Sequence, residues 1–142
     1  MMRLLLIASL MVLSAGPALA ADGAPAKTGL PGTTWANDCT TPASASNYYL
    51  LYSVASDGNL VETRRSRGKD TPRRLRNIQL ISESWLLYTL DDTDGEAVNI
   101  LTFTAEDGRK KSWWSVGHDG KAYIRDGKFT DSGEPPWFKR CK

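Results

Sequence analysis

The sequence predicts an all-β domain: a small antiparallel up-and-down barrel of about eight strands, held by one disulfide. Three observations carry this expectation. Turn signals recur every ten or so residues between short apolar and aromatic runs, with Asp-Gly at 57–58, 94–95, 107–108, 119–120 and 126–127. No segment keeps a helical period for twelve residues. The two cysteines, Cys39 and Cys141, stand near the two ends of the folded part, where a bridge would tie the first strand region to the last. A meander of that size can close into an up-and-down barrel, which removes exposed edges; an open sandwich is the alternative.

Residues 1–20 read as a secretory signal peptide. Met1-Met2-Arg3 gives a short positive start, Leu4 to Leu13 an apolar run, and Ala18-Leu19-Ala20 the small residues of a cleavage site. The apolar run is too short to span a bilayer, and no second long run follows, so no transmembrane segment is expected in the mature chain. No cysteine stands near the cleavage site, so no lipoprotein anchor is expected. Cleavage leaves 122 of the 142 residues, one domain's worth, and removing Arg3 takes the formal charge from +2 to +1. A near-neutral chain lacks the basic excess of a nucleic-acid binder. Export to a periplasmic or extracellular space favours a disulfide between Cys39 and Cys141. Two cysteines with the lone His118 make a poor zinc set, and nothing marks either thiol as activated.

Residues 21–31 read as a flexible linker and 32–142 as the barrel domain. Strands are expected at Thr33 to Asn37, Tyr48 to Val54, Leu60 to Arg65, Leu75 to Ile81, Trp85 to Leu90, Ala97 to Thr104, Lys110 to Val116 and Lys121 to Arg125, with a last extended piece from Trp137. In the second of these Tyr48, Leu50, Tyr52 and Val54 share one face.

The opening Gly32-Thr33-Thr34-Trp35 resembles the start of the lipocalin-like (calycin) barrels, which begin Gly-x-Trp; the spacing here is one residue longer. That resemblance implies that Trp35 packs across the barrel floor against a basic residue from near the chain's end, a part open to Arg140 or Lys139. The chain is also similar to the small periplasmic lipocalin-like inhibitors of secreted metalloproteases, whose disulfide lies near the barrel's start. Trp35-Ala36-Asn37-Asp38-Cys39 and Trp137-Phe138-Lys139-Arg140-Cys141 resemble the opening and closing motifs of short exported proteobacterial proteins, a likeness that implies no activity.

Two constellations are candidate binding features. Arg64, Arg65, Arg67, Lys69, Arg73, Arg74 and Arg76 put seven cations in thirteen positions, opposed by Asp70 alone. In a hairpin they would crowd at one end of the barrel and attract phosphate-bearing lipid headgroups, lipopolysaccharide or an acidic protein surface; the plainer alternative is a solvated loop. Trp113 and Trp114 are adjacent in a strand, so alternation sends them to opposite faces and one of them is free to line a cavity. The acidic run Asp91, Asp92, Asp94, Glu96 fails as a calcium loop, because Leu90 and Leu101 fall at the first and twelfth positions.

Catalysis and cofactors find no signature: no triad motif surrounds His118, and no Gly-rich phosphate loop or metal cluster is present. The expected function is a non-catalytic binding protein of the cell envelope, needing no cofactor. Its ligand is a small amphipathic molecule or a protein partner; the alternative is an inhibitor of a secreted protease.

Overall fold

The computed structural model describes residues 27–92 and 94–142. The signal peptide and the first part of the linker lie outside the described residues. Ten strands are present among those described: β1 (Thr34–Ala36), β2 (Tyr49–Val54), β3 (Leu60–Ser66), β4 (Lys69–Ser82), β5 (Trp85–Asp91), β6 (Ala97–Thr104), β7 (Lys110–Gly117), β8 (Ala122–Arg125), β9 (Lys128–Phe129) and β10 (Lys139–Cys141). They form one antiparallel sheet in the order β10-β1-β2-β3-β4-β5-β6-β7-β8-β9. No helix among the described residues is long and apolar enough to cross a membrane.

The Asp-Gly dipeptides explain the meander. Four connections share one hydrogen-bond pattern, at residues 55–59, 92–96, 105–109 and 117–121. In each, the first residue's N–H donates to the carbonyl of the fifth, and the glycine at position four donates back to the first. The aspartate at position three accepts from the N–H of the fifth residue: Asp57 from Asn59, Asp94 from Glu96, Asp107 from Arg109, Asp119 from Lys121. The glycine has positive φ, 82° at Gly58 and 79° at Gly120, which a side chain would disfavour. The acidic run is thereby spent on structure, Asp94 in its turn and Asp91 on Arg76.

The all-antiparallel sheet and its disulfide agree with the sequence, and the architecture is compatible with a barrel-like fold. The closed barrel of about eight strands is not what the ladders draw: there are ten strands, and no ladder joins β9 to β10. The sheet nevertheless curls. In a flat sheet β2 and β7, five ladder steps apart, would lie roughly 24 Å from each other. Lys110 Nζ on β7 instead lies 3.0 Å from the Tyr52 hydroxyl on β2. A two-residue bridge, Lys110 opposite Phe138, brings the chain just before β10 onto β7. The concave face holds Trp35, Leu50, Tyr52, Leu60, Leu75, Tyr88, Leu90 and Phe138 in one cluster, with Leu60 and Leu75 almost fully enclosed.

Cys39 and Cys141 are bonded, with their Cα atoms 5.5 Å apart, beside the β1–β10 pairing. Two expectations need correction. Packing begins before Gly32, because Leu30 is buried in the core cluster and its carbonyl accepts from Thr33. The stretch between Arg65 and Leu75 is mostly strand and not a solvated loop: β4 starts at Lys69, so the cations flank a two-residue turn, Arg67-Gly68, in the hairpin. Thr71 and Pro72 do not interrupt it, pairing with Arg64 and Thr63.

Candidate functional site

The hairpin register divides the arginines by face. Arg64 lies opposite Leu50, and Arg73 opposite Glu62, so both share the concave parity of Leu60 and Leu75. Arg65, Arg74 and Arg76 take the other parity and face outward, where Asp70, Asp57 and Asp91 pair with them in turn. The candidate cluster is thus two sets. The outer three are exposed ion pairs; the inner two enter the interior.

Inside, Glu62 is the centre of a buried polar chain. Its side chain is 3% exposed, and its carboxylate accepts from the Arg73 guanidinium through one oxygen. The other oxygen accepts from the Tyr52 hydroxyl at 2.6 Å, which in turn accepts from Lys110 Nζ at 3.0 Å. Lys110, Tyr52, Glu62 and Arg73 therefore run in series across β7, β2, β3 and β4. Such a network stabilises only when every member is satisfied, since loss of one partner strands a buried charge. Burial disfavours the Arg73 charge, but Glu62, with Asp92 and Tyr88, more than offsets it and keeps the guanidinium protonated. Burial pushes the Tyr52 and Tyr88 hydroxyls up, and Glu62 adds to the effect. Burial also lowers the Lys110 ammonium to about 7, with Glu62 opposing. Two rings work against that shift: Lys110 Nζ lies 4.3 Å from the Trp35 ring centre and 4.1 Å from that of Tyr52, contacts that favour the cation. Desolvation is the larger effect, because the amine has one hydrogen-bonding partner among the described residues for its three protons.

Arg64 lies 3.9 Å above the Tyr48 ring. Its Nε, and that of Arg73, are buried with no protein acceptor among the described residues. A buried unpaired donor costs about 1–3 kcal/mol. Both residues line a cavity of about 450 Å³ whose wall mixes aromatic and aliphatic side chains, among them Tyr48, Tyr88, Ile100 and Phe138, with the carboxylates of Glu62, Asp92 and Glu96. They also line an adjoining mouth of about 520 Å³ with Arg67 and Lys69. A smaller cavity of about 160 Å³ lies toward Trp35, Tyr52 and Lys110, with Tyr88 common to it and the larger one.

The tryptophans stand elsewhere. A bulge in β7 breaks the alternation expected of them: Leu101 pairs with Trp114 and Thr102 with Ser112, leaving Trp113 as the extra residue. Trp113 packs edge-on against Trp85 and Phe103, part of a cluster on the convex face that Trp137 joins through Phe103. Trp114 lies opposite Leu101, on that same parity. Neither tryptophan lines the interior cavities. Trp35 and Arg140 are direct partners in the β1–β10 register. The cation over the Trp35 ring is nevertheless Lys110, while Arg140 is exposed. The Trp35 indole N–H donates to Thr33 Oγ1 at 2.8 Å, a use for the residue two before it. His118 is an exposed turn residue whose backbone N–H donates to Ala97.

Sequence reasoning missed Glu62, Tyr88 and Lys110. The parity of Leu60-Val61-Glu62 placed an acid on the core face, the one available signal. Nothing local marks Lys110, whose partner is 58 residues away.

The fold defines an all-β antiparallel protein with one disulfide, and its curled sheet carries a pocket of mixed polar and apolar lining. Compared with known proteins, the chain matches no family model, and no curated protein or solved structure matches it.

Proposed function

We propose that this is a non-catalytic binding protein that encloses a small amphipathic molecule within its curled sheet, which we read as a lipocalin-like barrel. The observation that carries the reading is the cavity of about 450 Å³, where aromatic and aliphatic side chains meet the guanidiniums of Arg64 and Arg73 and the carboxylates of Glu62, Asp92 and Glu96. Pockets of that size that combine apolar walls with converging polar groups suit small organic ligands. The buried polar chain favours a structural role over catalysis: its members bond to one another, and Arg73, Glu62 and Tyr52 hold the hairpin against β2. The Cys39–Cys141 bridge supports residence in a non-reducing space such as the periplasm or the cell exterior.

Native mass spectrometry of protein purified from that compartment, before and after organic extraction, tests the proposal. A reproducible added mass that extraction removes is the expected result. An unliganded mass in every preparation would sink the carrier reading and turn attention to protein partners.

A further inference from the structure

We infer that the molecule carried in the cavity has an oxyanion head, a carboxylate or phosphate, held between Arg64 and Arg73 beneath the β3–β4 hairpin. This rests on the carrier reading above. The charge census of the hairpin separates used cations from available ones. Arg65, Arg74 and Arg76 are each committed to an aspartate on the convex face. Arg73 gives one terminal nitrogen to Glu62 and keeps a buried Nε–H with no protein acceptor among the described residues. Arg64 rests on the Tyr48 ring and keeps another. These two side chains, with Asp92, line both the cavity and the mouth, so they stand at the junction of the two.

The mouth adds Arg67 and Lys69 to them, against Asp92 as the one carboxylate among its described lining residues. Over the mouth and the cavity together, Arg64, Arg67, Lys69 and Arg73 face Glu62, Asp92 and Glu96, so the positive excess lies on the mouth side, with Arg67 and Lys69. Glu62, Asp92 and Glu96 line the inner cavity; Glu62 is taken up by Tyr52 and Arg73, and Asp92 acts on Arg73. Guanidinium donors bind oxyanions through short, charge-assisted hydrogen bonds that are roughly twice as strong as neutral ones. The tail of such a ligand would lie along Tyr48, Val98, Ile100 and Phe138. The strand register supplies this arrangement: of the five arginines on β3 and β4, Arg64 and Arg73 reach the interior, where they line the cavity with Tyr48, Tyr88 and Phe138.

Calorimetric titration of ligand-stripped protein with decanol, decanoate and decyl phosphate, each below its micelle concentration, tests the inference. At least one of the two anions is expected to bind about tenfold or more tightly than decanol, with an affinity that falls as salt is added. The tighter anion of the two identifies the head group; equal affinities leave the shared oxyanion chemistry supported. Arg64→Gln should weaken the anions by about tenfold and leave decanol unchanged. Should that variant fold poorly, the double variant Arg67→Gln, Lys69→Gln should flatten the salt dependence. Decanol binding as well as both anions would overturn the head-group inference and leave the carrier reading standing. No binding by any of the three would overturn both.

Discussion

Replacing Lys110 with methionine should raise stability at neutral pH and remove a pH dependence that the natural chain carries. Lys110 is 7% exposed and closes the polar chain at the Tyr52 hydroxyl. Burial takes its pKa from 10.5 to about 7. In the interval between those values the unfolded chain holds a proton that the folded chain has released, so stability rises with pH. The slope approaches about 1.4 kcal/mol per unit, giving roughly 2 kcal/mol between pH 7 and pH 9. Below pH 7 both states are protonated, the slope vanishes, and the full cost of burying the cation is present. Above pH 10 the raised tyrosines act with the opposite sign, because unfolded tyrosines lose protons that folded Tyr52 and Tyr88 keep. Methionine fills a similar volume without a charge, and Tyr52 keeps its bond to Glu62. Urea unfolding at pH 6, 7, 8 and 9 reads the effect. The natural chain should gain from pH 7 to 9, and the difference between the two proteins isolates Lys110 from His118 and the amino terminus. A natural chain that stays flat over that interval, or a Lys110→Met variant with the same slope, would refute the reasoning.

The two faces of the hairpin should answer mutation differently. Arg73→Gln leaves the Glu62 carboxylate buried without its cation and is expected to cost about 3–5 kcal/mol. Arg74→Gln breaks an exposed pair with Asp57 and should leave the urea midpoint unchanged; equal losses at the two sites would contradict the assigned parities. Reducing the Cys39–Cys141 bridge, which spans 102 residues, frees a loop whose closure is worth at most about 4.7 kcal/mol by chain entropy. Unfolding with and without reductant measures this, and coincident curves would show that the bridge adds nothing.

The strands were legible because their determinants are local. Alternation in Tyr48 to Val54 put Tyr48, Leu50, Tyr52 and Val54 on one face, and the structure makes that face the core as far as Tyr52, with Val54 exposed at the strand's end. Asp-Gly set the turns, since the aspartate caps the fifth residue and the glycine takes the positive φ within the same five residues. The basic run was legible as composition but not as geometry. A threonine and proline at 71–72 looked like a break, yet antiparallel pairing carried β4 straight through them. The tryptophan pair misled for a similar reason, as a bulge depends on the neighbouring strand and leaves no mark in its own residues.

What the sequence determined by itself is the antiparallel meander, its turns and the identity of the bridged cysteines, because each rests on spacing along the chain or on a count of two. The tertiary structure alone decided the interior. Lys110 meets Tyr52 across 58 residues, Arg73 meets Glu62 across 11, and Phe138 bridges Lys110 near the chain's end. Those meetings depend on how far the sheet curls and on the register of each ladder. Both are properties of the whole sheet, summed over many weak pairings, and no single segment encodes them.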